Sequence, residues 1–231
     1  MVKYHPDVRF LTDYTAGCLP TTQALCVATH LHYCVSCKLK VRELTELGSI
    51  LFMQQQRSAV KTSEFERLLT RVETLNGAAI VTPAPLTDAA APALAASLAA
   101  PPVSQLKLPK TLHKIARGDI ESLQWRRVGN SFRYSKLNVG NKKPSETALM
   151  HIRAGGNVPH HRHDGDEITV VITGSFSDHD DKYSVGDFIV RTTGEQHQPV
   201  ASQDEDCLCL SSLEKPIVMS NWFYRMLTPL M

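Results

Sequence analysis

Between residues 78 and 103 the chain reads A-A-I-V-T-P-A-P-L-T-D-A-A-A-P-A-L-A-A-S-L-A-A-P-P-V, with eleven alanines and five prolines in twenty-six positions. Such a run has too few large apolar groups to build a core, and its prolines stop a long helix. At most a short Ala/Leu helix fits, around Leu94–Ala100. A chain of 231 residues with this segment in its middle reads as two domains, 1–80 and 104–231, joined by an Ala/Pro-rich linker over 81–103. Both pieces fall within ordinary domain sizes.

The two pieces have different hydrophobic periods. In the first, His5-Pro6-Asp7 looks like a helix start, with proline in the first turn where its missing N–H does no harm. Gly17-Cys18-Leu19-Pro20 is a break, and Thr21 and Thr22 offer caps for a second helix to about Cys34. A third helix is predicted over about 36–56, with Leu39, Leu44, Leu47, Ile50 and Leu51 near helical spacing. Thr62-Ser63 opens a fourth, with Phe65, Leu68, Leu69 and Val72 on one side and Asn76-Gly77 at its end. In the second piece Glu146–Ile152, Glu167–Ile172, Tyr183–Val190 and Cys207–Leu213 are short, mostly apolar and punctuated by Gly, Asp and Asn. That spacing predicts an all-β barrel or sandwich. The fold class is therefore α + β in two domains, four helices followed by a β-structure.

Charge narrows the function. Residues 1–80 hold nine Lys/Arg against seven Asp/Glu, and residues 104–231 sixteen against fifteen. Without a basic stripe, direct nucleic-acid contact is not expected. The first residues, M-V-K-Y-H-P-D-V-R-F-L-T-D-Y, are charged throughout and do not read as a signal peptide, and there is no window of about eighteen apolar residues that would span a membrane. The expected compartment is the cytoplasm, where thiols stay reduced. Six cysteines there are candidates for metal or redox chemistry before structural disulfides.

Two constellations carry such chemistry. In T-H-L-H-Y-C-V-S-C-K, residues 29–38, His30, Cys34 and Cys37 fall on one helical stripe or across a tight helix–helix junction. Imidazole and thiolate are the ligands that Zn²⁺ prefers, and a structural site needs four. His5, at the mouth of the first helix, is the expected fourth, with Cys26 the alternative as ligand or as core neighbour. The competing account is a buried Cys/His stripe that simply packs, because a free cysteine behaves as a small hydrophobe. The second constellation is G-G-N-V-P-H-H-R-H-D-G-D-E-I-T-V-V-I-T-G, residues 155–174. His161 and His163 project from one face of a strand, Glu167 begins the next, and His197 follows a turn further on. Three imidazoles and a carboxylate suit Zn, Fe, Mn or Ni. His160, His179 and His151 read as surface histidines.

Gly155-x5-His161-x-His163-x3-Glu167-x6-Gly174 resembles the first motif of the cupin superfamily at every fixed position. Gly186-x5-Thr192-x-Gly194-x2-His197-x3-Ala201 resembles the second, with Thr192 in place of the usual proline and Ala201 in place of the usual asparagine. His30-x3-Cys34-x2-Cys37 with an upstream histidine resembles the zinc-binding anti-sigma domain. The order of HxxxCxxC helical domain, linker and cupin is similar to the ChrR-type anti-sigma factors over nearly the whole chain.

This resemblance implies a zinc-bound helical domain that sequesters an extracytoplasmic-function sigma factor, and a metal-binding cupin barrel that controls release under singlet oxygen or related oxidants. Zinc is expected at His5, His30, Cys34 and Cys37. Zinc or another divalent transition metal is expected at His161, His163, Glu167 and His197. No catalytic residue is implied. Cys207 and Cys209, at i and i+2 on a strand, point the same way and are candidates for redox sensing or simply fill the barrel. The rival function is a metal-dependent cupin enzyme, a dioxygenase or isomerase, with a helical accessory domain.

Overall fold

The structure, a computed structural model, describes residues 2–56, 61–76, 108–113, 115–116, 120–140 and 145–219. The Ala/Pro-rich segment lies outside the described residues. Five helices are described: α1 (Val8–Thr15), α2 (Thr21–Tyr33), α3 (Val35–Met53), α4 (Thr62–Asn76) and the single turn α5 (Lys110–His113). Contacts group the chain into two units, residues 1–48 with 99–231, and residues 49–98. These cuts do not follow the composition boundaries at 80 and 104, because the first two helices pack into the same unit as the β-structure.

Local chemistry sets the helix ends. α1 starts at Val8, two residues after Pro6, which the sequence places in the first turn. The Asp7 side chain accepts the Phe10 N–H at 2.9 Å as its N-cap, which leaves Pro6 outside the helix. α2 follows Pro20 with no side-chain cap, so neither Thr21 nor Thr22 plays that part. Cys34 is extended, at φ −109° and ψ 106°, and breaks one predicted stripe into two helices.

Among the described residues the β-structure has twelve strands. A six-stranded antiparallel sheet runs β1 (Arg126–Val128), β2 (Phe132–Leu137), β3 (Glu146–Ile152), β11 (Cys207–Leu213), β5 (Glu167–Thr173) and β8 (Phe188–Arg191) in spatial order. A three-stranded sheet holds β10 (Val200–Ala201), β6 (Ser175–Ser177) and β7 (Lys182–Ser184), and another holds β12 (Val218–Met219), β4 (His161–Arg162) and β9 (Gln196–His197). The predicted strand over 183–190 is two strands, split where Gly186 turns the chain at φ +90°. β1 and β2 carry no clean alternation and were not foreseen.

Both faces of the large sheet are covered, which explains why its strands read as continuous apolar runs. Ile168, Val170 and Ile172 of β5 and Leu208 and Leu210 of β11 form one core with Leu25 and Val27 of α2 and Leu112 of α5. The alternate residues, Val171, Cys207 and Cys209, pack inward with Phe132, Phe176 and Ile189. α2 is tied to the sheet by polar contacts as well: the Tyr33 hydroxyl donates to the Ile172 carbonyl at 3.2 Å, and Cys26 Sγ lies 3.9 Å from the Ile168 carbonyl.

One histidine was misjudged. His151 is only 3 % exposed, within β3, not on the surface. Its Nδ1 accepts from Arg133 Nε at 3.1 Å and its Nε2 donates to Asp206 at 2.9 Å, so burial is balanced by a complete set of partners.

Candidate metal centres

The break at Cys34 brings the first cluster together. His30 sits in the last turn of α2, Cys34 at the junction and Cys37 in the first turn of α3, while His5 arrives on the extended segment before α1. One donor atom from each of the four lies within 4.8 Å of every other. His5 Nδ1 is 3.4 Å from Cys34 Sγ and 3.5 Å from Cys37 Sγ. Ligands bound tetrahedrally at the usual Zn–N and Zn–S lengths are about 3.5 Å apart, so this spacing suits one ion. Burial pushes the Cys37 thiol up to about 11. Burial also opposes the Cys34 thiolate, but hydrogen bonds from Ser36 and the Cys37 amide outweigh it and hold that thiol below its ordinary value. Nδ1 of His30 donates to the Gly186 carbonyl at 2.7 Å, which fixes the tautomer and leaves Nε2 buried with no hydrogen-bond partner. An orphaned buried imidazole nitrogen beside two thiols fits a soft divalent cation. Cys26 is not part of the cluster; it faces the sheet as a core residue.

The second cluster lies inside the β-structure. His161 on β4 and His197 on β9 are register partners, His163 follows β4, and Glu167 opens β5. All four are buried. Nε2 of His197 is 3.0 Å from Nε2 of His161 and 3.1 Å from Nε2 of His163, and Glu167 Oε2 is 3.3 Å from His163 Nε2. One ion bound at about 2.1 Å to each donor can bridge these distances. Neighbours fix the ligand atoms. His161 Nδ1 donates to the Pro159 carbonyl at 2.8 Å, and His197 Nδ1 to Asp178 at 3.1 Å, so both present Nε2 inward. The Thr169 hydroxyl donates to Glu167 Oε1 at 3.1 Å, leaving Oε2 for a metal. Burial lowers His161 to about 4 and His163 in the same direction, so these rings are neutral near pH 7, the state that ligates.

Asp178 and Arg191 were missed by the sequence reading. Asp178 accepts from His197 and, at 2.6 Å, from Arg191 Nη2; Arg191 also pairs with Asp180. Burial works against the Asp178 carboxylate, but these donors hold it well below its ordinary range. In sequence it stands in S-D-H-D-D, which has the look of a solvated loop; nothing in one sequence marks its partner nineteen residues on. Cys207 and Cys209 are buried with their sulfurs 3.6 Å apart. Cys209 also lines an apolar cavity that reaches His161, Glu167 and His197, with Met150 and Phe176 in its wall. The Cys209 thiol is raised by its contact with Cys207 and by burial, and so stays protonated and unreactive at rest.

A barrel with four inward donors from two strand–turn motifs, preceded by helices that gather two histidines and two cysteines, defines a class: a helical module with a candidate metal site, joined to a cupin-like domain. The comparisons give the particular kind. Residues 113–215 match the family described as the ChrR Cupin-like domain. The anti-sigma-E factor ChrR of Cereibacter sphaeroides is 27 % identical over 228 residues, covering 99 % of this chain and 97 % of the relative. The crystal structure of Rhodobacter sphaeroides SigE in complex with the anti-sigma ChrR aligns with a TM-score of 0.70 at 25 % identity, over 92 % of this chain and 99 % of that one. The chain therefore resembles a ChrR-type anti-sigma factor from end to end. Among the described residues no helix is long and apolar enough to cross a membrane.

Proposed function

We propose that this protein is a cytoplasmic anti-sigma factor that binds an extracytoplasmic-function sigma factor through its helical part and releases it on an oxidative signal received by the cupin. What carries the reading is the match over 92 % of the chain to a ChrR in complex with its sigma factor. The helices support it independently. Leu47, Ile50 and Leu51 on α3, and Phe65, Leu68, Leu69 and Val72 on α4, form apolar stripes at helical spacing that are exposed. Apolar faces of this extent on two helices are what a helix-clasping partner covers.

In this reading residues 1–80 are the anti-sigma domain, 81–103 the linker and 104–231 the sensor. Zinc at His5, His30, Cys34 and Cys37 would staple the start of α1 to the α2–α3 junction and so set the angle at which α3 is presented. A divalent transition metal at His161, His163, Glu167 and His197 would brace the barrel mouth. Release needs an element whose two states bind sigma with different affinity. Cys207 and Cys209 are candidates for the trigger, since oxygen added to either buried sulfur introduces bulk and polarity into a packed barrel.

The test is co-expression with extracytoplasmic-function sigma factors of the same genome. A stable 1:1 complex that dissociates under singlet oxygen is expected, and Cys34→Ser should prevent its assembly. Failure to co-purify, together with no effect of Cys34→Ser, would overturn the reading.

A further inference from the structure

One histidine of the N-terminal cluster is held by the barrel, and the chain just before the other is pinned by the next residue of the same turn. His30 Nδ1 donates to the carbonyl of Gly186 at 2.7 Å. Asp187, 1 % exposed, accepts at Oδ1 the backbone N–H groups of Lys3 at 2.6 Å and Tyr4 at 3.0 Å, the two residues before His5. Its other oxygen accepts the Ser184 N–H at 2.8 Å, which fixes the carboxylate within its own turn. The Phe188 N–H donates to the Tyr4 carbonyl at 3.0 Å, so residues 3 and 4 lie along the barrel before the chain reaches His5. The Tyr4 hydroxyl and the Lys3 ammonium both donate to Asp181.

The turn that makes these contacts is itself constrained. Gly186 has φ +90°, and a Cβ there would meet Tyr33 Cβ and Val2 Cγ2 at 2.7 Å. The glycine thus allows both the left-handed turn and the close approach of α2 and the N-terminal segment. His5 is exposed and lies on an extended stretch without helix or strand bonds of its own. Its position relative to Cys34 and Cys37 is set by where residues 3 and 4 are pinned.

We propose that Gly186 and Asp187 are positioning residues for the N-terminal metal site, so that the affinity of the helical part for its metal depends on the docked barrel. The Gly186 carbonyl orients the His30 ring and selects its tautomer, and Asp187 sets the reach of His5. This rests on reading the cluster as a metal site, and it adds that two of the four ligands are aligned from another part of the fold. Partners in this outer position typically change metal affinity by about 10–100-fold when removed.

The experiment uses the full chain loaded with Co²⁺ in place of zinc. Among the two clusters only the N-terminal one contains thiolates, so the sulfur-to-cobalt charge-transfer band reports it alone, and competition with a chelator gives its affinity. Asp187→Ala is expected to lower that affinity about 10-fold or more. Asp187→Asn, which keeps an acceptor oxygen for Lys3 and Tyr4, should recover most of the loss. Lys3→Pro deletes one of the two donors to Asp187, together with the ammonium that donates to Asp181, and changes no barrel residue, so it should move the affinity the same way while keeping the Tyr4 donor. Affinity at the cupin cluster should not change in any of the three. An N-terminal affinity within about twofold of the parent in Asp187→Ala would overturn the proposal, as would equal weakening of both clusters. Should Asp187→Ala fail to fold, an unchanged affinity in Lys3→Pro overturns it instead. A parent chain with no charge-transfer band would refute the metal-site reading beneath it, and is told apart from these outcomes by that absence.

Discussion

Replacing Phe65 and Leu68 by alanine will weaken sigma binding while leaving the rest of the chain as stable as before. The two lie three residues apart on α4, and with Leu69 and Val72 they form an i, i+3, i+4, i+7 stripe whose members are 44–54 % exposed. Complete burial of such a side chain is worth about 1.5–3 kcal/mol, so one that is half exposed has roughly 1 kcal/mol still to gain. Two truncations then cost about 2 kcal/mol of binding free energy, or about 30-fold in Kd. Because the lost surface already faces solvent, the folding free energy of the free chain should move by less than about 0.5 kcal/mol per site. Titration calorimetry against the sigma factor that co-purifies with the parent gives the first quantity, and thermal denaturation of the free chain gives the second. A Kd within about twofold of the parent's would refute the docking face, since it would mean that less than about 0.4 kcal/mol is gained there. A large fall in the melting temperature of the free chain would refute it differently, by showing that the stripe is an internal contact.

Other predictions follow from the sites and the core. Cys34→Ser should abolish the cobalt charge-transfer band and leave one equivalent of bound metal, measured by atomic emission on the purified chain. Glu167→Gln should remove metal from the barrel and spare the thiolate site, measured the same way. In the metal-free chain, His161 has a folded pKa of about 4 against an ordinary 6.5, so the unfolded chain binds more protons in between. The stability this contributes is present above about pH 6.5 and is lost as pH falls toward 4, up to about 3 kcal/mol, visible as a falling melting temperature. Leu210→Ala, at a fully buried position between the sheet and α2, should cost about 2–5 kcal/mol in urea denaturation.

Several features were legible because they are local. The HxxxCxxC spacing and the two histidine-bearing turns are short-range patterns, and a ligand needs only the right residue type at the right interval. β11 was read at its observed bounds because mostly apolar residues over that short length, bounded by Asp206 and Glu214, leave little else. The helix boundary was harder: His30, Cys34 and Cys37 share a stripe on an ideal helix, and the same spacing also fits a junction. The chain takes the junction: Cys34 is extended and ends α2, and α3 begins at Val35. His151 was misjudged for a related reason. A histidine near the end of a mostly apolar strand reads as exposed until Arg133 and Asp206, from two other segments, supply both of its partners.

By itself, then, the sequence determined the kinds of element, the change from helical to β-rich parts, and the candidate donors His30, Cys34 and Cys37 and His161, His163, Glu167 and His197. These follow from periodicity and residue chemistry, which act over a few positions. Only the tertiary structure decided that His5 and not Cys26 joins the first cluster, that Asp178 backs His197, and that Gly186 bonds His30 while Asp187 pins Lys3 and Tyr4 just before His5. Those are contacts between segments up to 184 residues apart, fixed by how α2 lies on the sheet and by where a glycine turn leaves room for it. No interval in the sequence encodes such a distance; it emerges from the packing of all the elements together.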